Sequence, residues 1–317
     1  MAKYRNALPQ LSGEFFLTDG GIETTLVFLE GLELPLFSAF YLLRTPKGET
    51  ALREYFKTYA ALARNLEVGL VLETATWRSN PDWGNKLGYS SDDLRAVNRR
   101  LVHMLEDIRA ECETGRTPIV ISGCIGPRGD GYVPDNAMSV GEAEDYHSLQ
   151  METFAGSAAD LVTAITMNYV DEAAGITLAA QRINMPVVIS FTVETDGKLP
   201  TGQSLGDAIT EIDDLSSGYP AYYMINCAHP SHFDKVVRGG EPWASRIRGL
   251  RANASRMSHS ELNESPELDS GNPVELGQEY ADLKKNQLRH LNVMGGCCGT
   301  DHRHIEQLAV ACLPLFR

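Results

Sequence analysis

Residues 161–192 read LVTAITMNYVDEAAGITLAAQRINMPVVISFT. A β-branched apolar run, Leu161 to Met167, gives way to Asp171 to Ile183, where apolar residues return at helical spacing behind two acids. A second apolar run, Pro186 to Thr192, follows at once. Such a change of period from two to 3.6 and back predicts strand, helix, strand. Two strands joined by a helix lie parallel, because the crossover carries the chain back to the same edge.

Working outward, the unit recurs. Further strands are expected at Phe15 to Asp19, Gly69 to Thr74, Pro118 to Ser122, Ala221 to Asn226, Ile247 to Arg251 and Leu291 to Met294, eight in all. Helices are expected at Thr50 to Glu67, Asp92 to Glu113, Gly141 to Ala159, Leu205 to Ser216, Pro273 to Lys285 and Asp301 to Leu313, with a weaker one near His232 to Val237. Ser139 with Glu142 forms a capping box, Ser90 and Ser91 precede the first-turn acids Asp92 and Asp93, and Asp301 is a cap for the last helix. Eight strand-helix units predict a single α/β domain over residues 1–317, a closed (β/α)8 TIM barrel whose site lies at the C-terminal ends of the strands. An open doubly wound sheet is the alternative. Its G-x-G-x-x-G fingerprint is missing from Asp19-Gly20-Gly21-Ile22-Glu23-Thr24, which follows the first strand.

The 28 Lys plus Arg against 42 Asp plus Glu give a net charge of -14. No basic run offers a face to phosphates, so a nucleic-acid partner is not expected. The longest apolar stretches, such as Pro186 to Phe191, fall far short of the roughly 20 residues that span a bilayer, so no membrane partner is expected either. The first twelve residues lack the apolar centre of a signal peptide, which reads as cytoplasmic. Six cysteines in 317 residues are too few for a secreted disulfide scaffold.

In a barrel, chemistry belongs to the strand ends. Asn226-Cys227 closes strand six and Gly295-Gly296-Cys297-Cys298-Gly299-Thr300 closes strand eight, with one strand between them. Three thiolates converging there would make an all-sulfur zinc site with a fourth position open to water or substrate, as catalytic sites keep it. The alternatives are a vicinal disulfide or plain filler. Cys112, Cys124 and Cys312 read as small packing residues.

Gly295 to Thr300, followed by His304-Ile305, resembles the C-terminal signature of the homocysteine S-methyltransferase family. Asp19-Gly20-Gly21, Glu73-Thr74, the Ser122 to Pro127 segment, Ser190-Phe191-Thr192 with Gly202, and Asn226-Cys227 match in the family's order. The resemblance covers about residues 13 to 313 and points to the short, stand-alone branch. It implies a barrel holding zinc through Cys227, Cys297 and Cys298, with a methyl group passing from an onium donor such as S-methylmethionine, S-adenosylmethionine or betaine to the thiol of homocysteine. Both partners are small molecules, and the oligomeric state is left open.

The resemblance places Asp19, Gly20 and Thr74 at the amino-acid end of the acceptor, with Glu73 beside them. Trp77 is the aromatic candidate for a cationic donor, Tyr132 a second, and rim packing the plain alternative for Trp77. Glu23 reads as a helix-start acid. One departure stands out: where the family usually ends strand four with Glu-Thr, this chain has Ile165-Thr166. The carboxylate for the acceptor's ammonium is absent there, so a different thiol acceptor, or a non-catalytic zinc- or thiol-binding barrel, stays open. A zinc hydrolase is disfavoured, since no H-E-x-x-H pattern occurs and an all-sulfur site is poorly suited to water activation. His229 reads as a polar loop residue, a substrate contact or an orienter of the site, and the polar stretch 252–272 as a lid or a solvated loop.

Overall fold

Eight parallel strands close on themselves in chain order, β1 pairing with both β2 and β8. The computed structural model describes residues 1–265 and 267–316. The strands are β1 (Phe16–Leu17), β2 (Gly69–Glu73), β3 (Ile119–Ile125), β4 (Leu161–Met167), β5 (Val187–Phe191), β6 (Tyr222–Asn226), β7 (Ile247–Ala252) and β8 (Val293–Gly296). The closed (β/α)8 barrel expected from the alternation is therefore the fold, and the open sheet is excluded. Every residue of the strands is buried except Arg248, as expected where helices cover the outside and side chains fill the inside. Phe16, Val71, Val120, Leu161, Val188 and Met224 belong to the inner cluster, and Leu8 packs with them.

Long helices lie at Pro46–Leu66, Ser91–Cys112, Val140–Ala155, Val170–Arg182, Leu205–Ser216, Pro273–Asn286 and His302–Cys312. The capping boxes at Ser139/Glu142 and Ser90/Asp93 are formed, and Asp301 caps the last helix. Helix one starts four residues before the expected Thr50, because Thr45 accepts from the Gly48 amide and Pro46 fills the first turn, where its missing N–H costs nothing. The weak helix near His232 sits earlier, at Pro230–Phe233, and a short helix at Pro81–Lys86 was not expected although Asn80-Pro81 starts it in the same manner. No helix of the described residues is long and apolar enough to cross a membrane.

The C-terminal ends of three strands move by two or more residues, and β3 runs three residues past the expected Ser122 to Ile125, which takes Cys124 into the strand. β1 is two residues long and ends before Asp19, whose carboxylate turns inward to an arginine. β8 runs on through Gly295 and Gly296, which pair with Arg251 and Ala252 of β7. A Cβ at Gly295 would meet Thr18 Oγ1 at 1.8 Å, so these glycines allow backbones to touch, while the turn itself falls at Gly299 with φ +79°.

Candidate active site

Cys227 leaves β6 in the left-handed region, φ +52°, which a residue with a Cβ holds only where neighbours impose it. Its amide donates to the Arg251 carbonyl at 3.1 Å, and its carbonyl accepts from Asn253 Nδ2 at 3.0 Å and His259 Nε2 at 2.6 Å. Asn226 supports the turn from behind. Its Oδ1 accepts from the Thr166 amide at 3.0 Å and Ser190 Oγ at 2.6 Å, and its Nδ2 donates to Thr166 Oγ1 at 2.8 Å. Thr166 is itself left-handed, φ +65°, with Oγ1 3.9 Å from Cys227 Sγ. One buried amide thus locks two strained strand ends.

On the far side, the Cys297 amide donates to the Ala252 carbonyl at 2.8 Å, and the Cys298 carbonyl accepts from the Ala254 amide at 3.0 Å. The three sulfurs, of Cys227, Cys297 and Cys298, lie within 4.8 Å of one another. Hydrogen bonds from Cys297 and then Cys298 hold the Cys227 thiol well below its usual range, while sharing with Cys227 pushes Cys297 up to about 12 and Cys298 higher than an ordinary thiol. The trio accommodates one negative charge readily and a second only against a cation. Three convergent sulfurs with no nitrogen or oxygen ligand among them suit a thiophilic, tetrahedral ion, and the residues fit zinc.

Beside the cysteines is a charge hub centred on Arg251, at the end of β7. Its guanidinium pairs with Asp19 Oδ1 at 2.7 Å and with Glu73, and it donates to the carbonyls of Gly296 at 3.0 Å and Gly20 at 3.1 Å. All three side chains are at most 8% exposed. Burial raises the carboxyls of Asp19 and Glu73 and Arg251 opposes that rise, while burial alone would lower Arg251 and the two acids keep it charged. Tyr55 donates to Asp19 Oδ2 at 2.9 Å and fixes its rotamer. Arg251 went unremarked in the sequence, although a charged residue closing a barrel strand was there to be read.

These groups line one cavity of about 770 Å³. Asp19, Gly20, Glu73, Thr74 and Trp77 all face it, as do Glu23 and Ile165. Thr74 Oγ1 is engaged, accepting from the Cys124 amide at 3.0 Å and sharing a proton with Thr76 Oγ1 at 2.6 Å. Trp77 already carries a cation, the Arg78 guanidinium at 4.8 Å from its ring centre, and Arg78 also lies 3.9 Å from the Trp83 ring. Glu23 is half-buried by area but enclosed by the cavity walls. Burial pushes its carboxyl up to about 7, with Cys297 and Asp19 adding to the rise and its own backbone N–H opposing it.

From the stretch 252–272, His259, Leu262, Ser265 and Leu268 are among the residues that line the cavity. Ser258 and Glu261 form a capping box that starts a helix at His259–Glu264, and Leu262 and Leu268 look into the cavity. His259 stacks on Tyr132, centroids 4.1 Å apart, and its Nδ1 lies 3.1 Å from Glu194. Tyr132 Oη reaches to 3.8 Å from Cys298 Sγ. His229 is not brought to this cavity: it caps the Pro230–Phe233 helix, 3.1 Å from Glu279, in a separate pocket of about 470 Å³, and burial lowers it to about 4.

The sequence profile of the homocysteine S-methyltransferase family matches residues 16–312. The chain belongs to the homocysteine S-methyltransferase family. Its members are methyltransferases, so the barrel is an enzyme of that class. Among solved structures, the homocysteine methyltransferase MmuM of Escherichia coli is similar in its metallated form, with TM-score 0.70 at 20% identity over 94% of this chain and 96% of that one. Its oxidized form gives TM-score 0.73 at 20% identity over 97% and 99%. At such identity the likeness carries the fold. A search of curated protein sequences finds no match.

Proposed function

We propose that this enzyme moves a methyl group from an onium donor, S-methylmethionine or S-adenosylmethionine, to the thiol of homocysteine, giving methionine, with zinc held by Cys227, Cys297 and Cys298. The observation that carries the reading is the convergence of three sulfurs within 4.8 Å on the wall of a cavity large enough for two amino-acid-sized molecules. Zinc bound there would keep the acceptor sulfur as a thiolate at neutral pH, where a free thiol is only a few per cent ionised.

The chain's own residues supply position and exclusion. Asn226 and Thr166 hold Cys227 in its strained turn, so its sulfur points at the other two before any ligand arrives. Arg251 spreads one positive charge over Asp19 and Glu73 and presents that wall, with Gly20 and Thr74, to the amino-acid end of the acceptor. Trp77, Leu262 and Leu268 make the donor side largely apolar, where water would otherwise compete with the acceptor sulfur. Transfer needs no protein nucleophile: the acceptor sulfur's electron pair takes the methyl as the donor's carbon–sulfur bond breaks, leaving two neutral thioethers. Reacting atoms must be held about 3 to 3.5 Å apart in line, which is the task of these walls.

Ile165 supports a second reading, in which the acceptor is another thiol. Zinc-loaded, reduced enzyme should therefore be assayed with S-methylmethionine, S-adenosylmethionine and betaine against homocysteine, cysteine and 4-mercaptobutyrate. Methionine as the fastest product supports homocysteine. A faster non-homocysteine product establishes the second reading, and absence of any product from zinc-loaded enzyme refutes both.

A further inference from the structure

We infer that Glu23 is the carboxylate that receives the α-ammonium group of the amino-acid substrate. The inference rests on the proposed function and names which group of the chain reads the substrate's positive end.

Of the cavity's other acids, Glu267 is exposed to solvent and the rest are occupied. Asp19 and Glu73 share Arg251, and Glu194 lies 3.1 Å from His259. Asp130 Oδ1 accepts from the backbone amides of Tyr132 and Val133 at 2.8 and 3.2 Å. Asp269 accepts from Ser255 Oγ and the Gly271 amide. Glu23 differs: among the described residues no side chain donates a hydrogen bond to it, and none makes an ion pair with it within 4.0 Å. The cation that acts on it, Arg78, lies beyond ion-pair distance, clamped between Trp77 and Trp83 with Nη1 on the Leu36 carbonyl.

A carboxylate walled by protein with no side-chain partner is costly to leave charged and gains much from a cation that donates hydrogen bonds. The surroundings select the sign. Asp19, on the same cavity wall, adds negative potential at Glu23, so an anion is repelled and a cation drawn in. Hydrogen-bonding capacity selects the class, since an ammonium carries three donors and a sulfonium none. Ile165 offers an entering ammonium only apolar surface, which leaves Glu23 as the open carboxylate that is not exposed to solvent.

Both the acceptor and S-methylmethionine carry an α-ammonium, and the test separates them. Calorimetric binding of homocysteine and of 4-mercaptobutyrate, the same chain without the amino group, is compared for zinc-loaded wild type, Glu23→Gln and Glu23→Asp, with zinc content measured in each. Turnover is then compared with S-methylmethionine and with trimethylsulfonium, a donor without an ammonium. The wild type should prefer homocysteine at least tenfold. Glu23→Gln should erase that preference with zinc content unchanged, and Glu23→Asp should keep part of it. Loss confined to the S-methylmethionine/trimethylsulfonium ratio would place the ammonium of the donor, not the acceptor, on Glu23. Preference for homocysteine and for S-methylmethionine both undiminished in Glu23→Gln, or absent from the wild type, overturns the inference. Selective thiol binding without any methyl transfer would instead leave Glu23 in place and sink the proposed reaction.

Discussion

The two sides of the cavity are built on opposite plans. On the side of β7, β8 and β1, polar groups are met in place: Arg251 serves two carboxylates and two carbonyls, and the cysteine backbones are bonded to neighbouring strands. On the side of β3 and β4, Ile165 presents an apolar surface, and His259, at the start of its short helix, stacks on Tyr132. The contrast teaches that the sulfur-bearing wall is fixed by strand pairing and ion pairs, whereas the other wall is closed by side chains brought in from loops, such as Tyr132, His259 and Leu262.

The harshest way to break the comparison is to remove a sulfur from the preset wall. Cys298→Ala should lose zinc and activity together. Failure to ionise the acceptor thiol alone accounts for roughly 30-fold at neutral pH, and lost positioning adds to it. Metal analysis and turnover check both. Next in size, Arg251→Met should strand two buried carboxylates and cost about 3 to 5 kcal/mol in urea unfolding, more than any single change on the Ile165 side.

Smaller effects sharpen the picture. Asp301→Ala removes the cap of the last helix, directly after the cysteine turn, and should cost about 1 kcal/mol at neutral pH. Burial would raise the Asp301 carboxyl, but the side chain and backbone of Arg303, with His304, override that and hold it at about 2, below its usual 3.8. Because the folded value is the lower one, this contribution is whole above about pH 4 and disappears as the pH falls through about 2. The unfolding curves of wild type and variant should therefore converge in acid. Smallest, His259→Ala should leave zinc content nearly unchanged, yet raise hydrogen exchange at residues 258–264 a few-fold, because it removes the contacts that tie this helix to the Cys227 carbonyl, Glu194 and Tyr132.

The preset wall was also the more legible one. Strand-helix alternation gave the barrel, and Asn226-Cys227 with Gly295 to Thr300 identified the residues that the fold brings together, because regular elements and short strand-end turns are encoded locally. Asp19 could be placed at the mouth, but its bond to Arg251 could not, since β1 and β7 meet only when the barrel closes. Glu23 read as a helix-start acid for the same reason: its three-residue helix is real, and its enclosure is made by residues far away in sequence. The stretch 252–272 was ambiguous because a polar composition is shared by solvated loops and by segments that turn only a few residues, such as Leu262 and Leu268, toward a cavity.

The most direct test of the central claim is X-ray absorption at the zinc edge, with and without homocysteine. Three protein sulfurs and one lighter ligand in the resting enzyme, rising to four sulfurs when homocysteine binds, are the predicted result. A count that stays at three with homocysteine bound would contradict it, because the acceptor sulfur would then not be the group activated beside Cys227, Cys297 and Cys298.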